Sequence, residues 1–179
     1  AVFDCLEFNA DLRWTDVMND VGFMAMDLHG HGLPRLAHRF VNGIVERSGD
    51  AAGLRVLRYY MVYRALVRAK VAALRVAQLD TRTPPSERAA AAAACQRYLG
   101  VAQACSRPAA PVLIVTHGCS GSGKTLLTQS LLEHIGAIRV RADVERKRLF
   151  GLPAKARSGA AQKETLYSST ATEATHARL

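Results

Sequence analysis

Apolar residues recur at helical spacing over most of the first hundred positions. In the earliest such segment, Thr15 or Asp16 can serve as the N-cap, and the predicted inward face comprises Val17, Val21, Met24 and Leu28. Three further helices are predicted at about 33–47, with Leu36, Phe40 and Ile44 inward, at about 51–79, and around the alanine run 89–94. The pattern therefore predicts a helical first half.

The pattern changes after the proline-containing segment 106–111, which we interpret as a linker. The β-branched run 111–116 and the short run 137–141 are typical of buried strands of a parallel sheet. Between and after them, helices are predicted at about 126–134, at 144–150 and from about 161 onward. We therefore expect an α/β protein with two domains, a helical one at 1–106 and a parallel-sheet P-loop domain at 107–179.

Residues 118–125 read Gly-Cys-Ser-Gly-Ser-Gly-Lys-Thr and match the phosphate-binding pattern G-x-x-x-x-G-K-[ST] in full. A predicted strand precedes them and a predicted helix follows, which is the context that this loop requires. Glycine permits backbone conformations in which successive N–H groups point at phosphate oxygens. The predicted nucleotide-binding residues are Gly118, Cys119, Ser120, Gly121, Ser122, Gly123, Lys124 and Thr125.

The loop implies ATP and Mg²⁺ as cofactors. Lys124 can reach the β- and γ-phosphates, and the Thr125 hydroxyl can ligate the metal. A loop that binds phosphates does not select the base, so ATP and GTP both fit it. Asp143 lies 19 residues after Lys124, at the end of the second predicted strand, where ligand groups gather in such sheets. We expect Lys124 and Asp143 to be catalytic, with Asp143 positioning an acceptor hydroxyl; a helix N-cap is the alternative role for Asp143.

The formal charge is +9, and it is uneven along the chain. Residues 51–110 carry ten basic and two acidic side chains. A basic block of this kind can face nucleic acid, but the arginines at 64, 68 and 75 fall on one helical face and few aromatic residues accompany them, which favours a solvated stripe. No apolar run approaches the ~20 residues of a membrane span, and no leader opens the chain, so the cytoplasm is expected.

The order of these segments resembles bacterial two-part proteins that join an aminoglycoside-phosphotransferase-like kinase domain to a P-loop, AAA-type ATP-binding kinase domain. In the first half, the resemblance rests on residues 2–9, Arg13, Asp16 and Asp20, on 26–28, and on the segments 64–65 and 67–71. In the second half, it rests on 117–125 and 141–151. It implies that Asp4 is the metal-binding aspartate after that kinase's catalytic loop. The catalytic-loop signature itself is absent, so the chain is expected to be an internal fragment.

Three functions are open at this point. The first is a phosphotransferase with an unidentified hydroxyl-bearing acceptor, using ATP and Mg²⁺. The second is a nucleotide-dependent switch or ATPase that phosphorylates no small acceptor. The third is a polynucleotide kinase whose basic helical half holds the nucleic acid. The oligomeric state is not indicated.

Overall fold

The structure is a computed structural model, and it describes residues 14–80, 82–107, 110–119, 121–154, 156 and 165–179. The chain divides into two compact units, one formed by Ala1–Ala37 with Ala52–Thr116 and the other by His38–Ala51 with His117–Leu179. The segment 38–51 thus belongs with the glycine loop and not with the helices that flank it in sequence. Among the described residues, each helix is too short or too polar to span a lipid bilayer.

The helices follow the predicted order. They are α1 (Val17–Gly30), α2 (Pro34–Ser48), α3 (Leu54–Gln78), α4 (Pro85–Ser106), α5 (Lys124–Ile135), α6 (Ala142–Leu149) and α7 (Ser169–Arg178). Their ends have local causes. Asp16 caps α1 by accepting a hydrogen bond from the Met18 N–H at 2.9 Å, Pro85 opens α4, and Gly136 ends α5 with φ 69°.

In the first unit, α3 packs against both α1 and α4. Small residues allow the close approach, since Ala25 and Ala65 have no exposed surface and a Cβ at Gly22 would lie 2.9 Å from the Tyr60 Cβ. Met26 is fully buried and Met61 nearly so. Alanine, glycine and methionine therefore make up much of the core of this unit, together with Val21, Leu57 and Tyr98.

The arginines of α3 stay at its surface, with Arg68 and Arg75 exposed and Arg64 half-buried, and they also have partners within the unit. Arg64 donates to Asn19 at 2.9 Å, Arg68 donates to the Tyr98 hydroxyl at 3.1 Å, and Arg75 pairs with Glu87 at 2.6 Å. These contacts join α3 to α1 and α4. Part of the basic block is thus used within the unit.

The predicted α/β architecture is wrong for the described residues, because every regular element among them is a helix. The run predicted as a strand at 111–116 has no regular secondary structure, and its side chains are exposed, with Leu113 at 88% and Val115 at 79%. Residues 137–141 likewise form no strand. A strand exists only when its backbone N–H and C=O groups pair with those of a neighbouring strand, and neither run has such a backbone ladder with any described residue.

The predicted inward faces are partly wrong by one residue. In α1, Val21 is buried but Val17 is 68% exposed, and Met18 is buried beside it. In α2, Ala37, Val41 and Val45 are buried, whereas Leu36 is 50% exposed and Phe40 and Ile44 are only partly buried. Closely packed helices place small side chains at the centre of the contact, which periodicity of large residues does not anticipate.

Candidate phosphate-binding loop

The loop that precedes α5 is shaped by its glycines. Gly118, Gly121 and Gly123 have φ of 149°, 80° and 80°, which residues with a Cβ rarely adopt. The Ser122 N–H donates to the Cys119 carbonyl at 3.3 Å, so the chain turns back on itself before the helix starts at Lys124. The result is a glycine turn followed directly by a helix N-terminus, which is a backbone arrangement suited to phosphate.

Lys124 points into this turn. Its Nζ lies 2.7 Å from the Gly118 carbonyl oxygen, 2.5 Å from that of Cys119 and 3.3 Å from the Ser122 Oγ. A Cβ at Gly118 would stand 3.2 Å from the Ser122 Oγ, closer than side chains normally pack. The ammonium group is therefore held at the mouth of the loop, where it can meet an anion bound by the loop amides.

The first turn of α5 is secured by side chains. The Thr128 hydroxyl donates to the Lys124 carbonyl at 2.8 Å, and the Arg139 guanidinium donates to the Thr125 carbonyl at 3.0 Å. Thr125 itself is exposed, as a residue that meets a ligand has to be. The backbone of both signature residues, Lys124 and Thr125, is thus anchored from outside the loop.

Asp143 is the second residue of α6 and is not its N-cap, so the predicted capping role is wrong. Arg141 occupies the cap position and makes no side-chain capping bond. The Asp143 carboxylate instead pairs with Lys147 at 3.0 Å and lies 3.5 Å from the Tyr167 hydroxyl. The helix begins at Ala142, two residues earlier than predicted, so Asp143 lies inside it.

The predicted site residues are only partly brought together. Gly118 to Thr125, apart from Ser120, form the turn described above. No hydrogen bond or ion pair between described residues joins Asp143 to that turn. Ser120 and Asp4 lie outside the described residues, and within the part of the chain that is described, no cluster of three His, Cys, Asp or Glu side chains offers a metal site.

Sequence reasoning missed a group of polar residues that connects the loop helix to α2. The Arg139 N–H donates to Asn42 at 2.7 Å, and Arg139 and Arg141 both pair with Glu46, at 3.3 and 3.2 Å. At the other end of α5, His38 contacts the Glu133 carbonyl at 2.8 Å. These partners are more than ninety residues apart, so no local pattern reveals them. The available signal in the sequence was the polar Asn42 beside Val41, in a segment whose apolar residues recur at helical spacing.

Residues 113–179 match the family described as an AAA domain. This match supports nucleotide binding by a P-loop in the second half of the chain. It begins within the run once predicted as a strand and includes the loop, α5, α6 and α7. The resemblance of residues 1–106 to an aminoglycoside-phosphotransferase-like lobe stays a prediction, since this match does not reach that half.

The chain is also similar to proteins from mycobacteria. It is 37% identical over 149 residues to the uncharacterized proteins Mb2027c of Mycobacterium bovis and Rv2004c of Mycobacterium tuberculosis. The alignment covers 83% of this chain and 28% of each relative, so the chain spans little more than a quarter of their length. No solved structure matches the chain.

Proposed function

We propose that this chain carries the ATP-binding loop of a P-loop phosphotransferase whose acceptor is a hydroxyl group. The observation that carries the proposal is the glycine turn from Gly118 to Gly123, which leads directly into α5 within the segment that matches an AAA domain. A complete loop signature, the required backbone conformation and the helix N-terminus all favour a nucleotide polyphosphate as ligand.

The residues present fit ATP with Mg²⁺. Gly118, Gly121 and Gly123 carry no Cβ, so at these three positions the phosphates can approach the backbone N–H groups closely. Lys124 exchanges its carbonyl contacts for phosphate oxygens and stabilises charge on the transferring group. The exposed Thr125 offers its hydroxyl as a metal ligand; Mg²⁺, when bound, supplies charge neutralisation for the phosphates.

Asp143 is the proposed residue for orienting the acceptor hydroxyl. Its side chain is 42% exposed while Lys147 holds one carboxylate oxygen, so the carboxylate is both oriented and accessible to a ligand. A carboxylate in this position accepts a hydrogen bond from the acceptor and takes its proton as the phosphoryl group moves.

The contacts of Asp143 also favour a second candidate function, a nucleotide-dependent switch or ATPase. Lys147 and Tyr167 both face this carboxylate, which suits a residue that joins α6 to the segment before α7. In that case nucleotide binding orders the loop and no small molecule is phosphorylated. The polynucleotide kinase is the weaker proposal, because Arg64, Arg68 and Arg75 already have partners within their unit.

Lys124→Ala tests nucleotide binding. The lost charged hydrogen bonds are worth ~1.5–3 kcal/mol, which corresponds to a loss of ATP affinity of roughly 10- to 100-fold. Titration calorimetry with ATP and Mg²⁺ measures it. Lys70→Ala, on the exposed surface of α3, is the matched control and should leave the affinity unchanged. Equal affinities of the two variants would refute a nucleotide at this loop.

Asp143→Asn separates the two candidates. A phosphotransferase variant should keep ATP affinity and lose transfer of the γ-phosphoryl group to a panel of hydroxyl compounds, measured with labelled ATP. A switch should retain any nucleotide-dependent protection of the loop amides against hydrogen exchange, in both the variant and the parent. Transfer that survives the substitution would exclude Asp143 as the base.

A further inference from the structure

The strongest feature outside the loop is a polar frame around Arg139, which is formed by Asn42, Glu46, Arg139 and Arg141. Its side chain is only 13% exposed, and its guanidinium group has two sets of partners. On one side it donates to the Thr125 carbonyl at 3.0 Å and approaches the Thr128 hydroxyl at 3.4 Å. On the other side it pairs with Glu46 at 3.3 Å. Arg139 therefore bridges the first turn of α5 and α2.

Both its backbone and its side chain are held by α2. Asn42, 3% exposed, accepts the Arg139 N–H at 2.7 Å, and the backbone carbonyl of Glu46 accepts a hydrogen bond from Arg148 at 2.6 Å. One carboxylate oxygen of Glu46 accepts a hydrogen bond from Arg139 and the other accepts one from Arg141. This side of α2 is thus a fixed support from which the guanidinium reaches the loop helix.

The Arg139 charge lies beside the first turn of α5, a position that is unfavourable by itself. A positive charge beside the first turn of a helix opposes the helix dipole and destabilises the helix when nothing compensates it. Glu46 supplies part of the compensation, and a phosphate bound at the N-terminus of α5 would supply the rest. The arrangement suits a helix that has to hold a polyanion at its start.

We propose that Arg139, anchored by Glu46 and Asn42, is a positioning residue for the phosphate loop. By holding the Thr125 carbonyl it fixes the first turn of α5, and with it the direction of the Thr125 hydroxyl toward a metal-bound nucleotide. The inference rests on the proposed function. It extends the nucleotide-binding unit to residues 42–46, which lie outside the segment 113–179 that matches an AAA domain.

The structure provides a matched pair for the test. Arg139 and Arg141 bind the same carboxylate, but only Arg139 reaches the loop helix. Arg139→Ala and Arg141→Ala therefore each remove one positive charge and one ion pair with Glu46. ATP affinity of the full chain is measured with and without Mg²⁺, and the ratio of the two affinities reports the position of the Thr125 hydroxyl.

We expect Arg139→Ala to lower the Mg²⁺-dependent gain in ATP affinity by about 3- to 10-fold, the equivalent of one hydrogen bond. Arg141→Ala should change it by less than about twofold, since this arginine lies away from the loop. Glu46→Gln should lower the gain in the same direction as Arg139→Ala. Arg139→Lys should rescue part of it, because lysine keeps the charge and loses the planar fork.

A second measurement needs no nucleotide. In the free protein, the amides of residues 127–129 should exchange hydrogen faster in Arg139→Ala than in Arg141→Ala, because in an α-helix that begins at Lys124 these amides donate to the carbonyls of residues 123–125. If Arg139→Ala fails to fold, the comparison of Glu46→Gln and Arg139→Lys with Arg141→Ala decides. Equal behaviour of the arginine variants in both measurements would overturn the inference. A third outcome separates this inference from the proposed function. If Arg139→Ala speeds exchange but Lys124→Ala binds ATP as tightly as the parent, Arg139 stabilises the helix and the proposed nucleotide site at the loop is refuted.

Discussion

Different interactions stabilise the interior of each of the two units. In the unit of α1, α3 and α4, small and flexible apolar residues are buried between helices, with Ala25, Met26 and Ala65 fully inaccessible. In the unit of the glycine loop, α5 exposes Leu126 at 81% and Leu127 at 71%, and Leu132 is its buried residue. The first unit is stabilised mainly by apolar burial, the second to a larger extent by polar contacts.

Arginines follow this contrast in part. In the first unit, Arg64 and Arg68 donate to the neutral partners Asn19 and Tyr98, and Arg68 also lies 5.2 Å from the centre of the Tyr98 ring, whereas the exposed Arg75 pairs with Glu87. In the second unit, Arg139 and Arg141 share the carboxylate of Glu46. A unit with few buried apolar groups needs its charges paired, since each pairing offsets the loss of hydration. The polar frame around the loop is thus part of its stability.

The largest effect is expected in the apolar unit. Met26→Ala removes a fully buried side chain and should destabilise the helices around it by about 2–5 kcal/mol. Leu127→Ala, at a position 71% exposed in α5, should stay within about 0.5 kcal/mol. Native-state hydrogen exchange of α1, α3 and α5 measures the two changes separately. Similar costs at both positions would contradict the contrast in apolar burial.

A smaller loss is expected in the polar frame. Asn42→Ala leaves the part-buried Arg139 N–H without its acceptor on the buried Asn42, which costs about 1–3 kcal/mol. Its control is Gly43→Ala at the next residue, where an added Cβ meets open space and a helical alanine should be neutral or stabilising. Thermal unfolding followed by circular dichroism compares them. A neutral Asn42→Ala would show that the frame contributes little.

Asp16 offers a weaker test within the apolar unit. Asp16→Ala removes the N-cap of α1 and should cost about 0.5–2 kcal/mol, whereas Thr15→Ala should have no effect. Partial burial and the hydrogen bond to Asp16 raise the pKa of Tyr60, so this phenol should ionise at lower pH in the variant. Urea unfolding and an absorbance titration of tyrosine measure the two effects. An unchanged Tyr60 titration would remove Asp16 as its partner.

The smallest change concerns two thiols and leaves stability unaltered. Burial raises the pKa of the Cys105 thiol against the opposing effect of Arg58, so at neutral pH it should react slowly with iodoacetamide and faster as pH rises. Cys119 is exposed in the glycine turn and should react first. ATP with Mg²⁺ should protect Cys119 and not Cys105, as peptide mass spectrometry would detect. Protection of neither thiol would count against a ligand at the turn.

Part of this protein could be derived from local sequence alone. The helices follow from the periodicity of apolar residues. Several helix ends follow from single residues, namely Asp16, Pro85 and Gly136, because the bonds that cap a helix join groups within a few residues of one another. The glycine turn followed by a helix also follows from its spelling, since positive φ at Gly121 and Gly123 requires glycine.

The tertiary structure decided the rest. The runs at 111–116 and 137–141 have the composition of strands, but a strand forms only against a partner strand, and the sequence of the run does not specify that partner. The same holds for the support of the loop. Arg139 meets Asn42 and Glu46 across more than ninety residues, and only folding brings such distant groups to hydrogen-bonding distance. Local spelling sets the conformation of the turn, whereas long-range contacts determine what holds it in place.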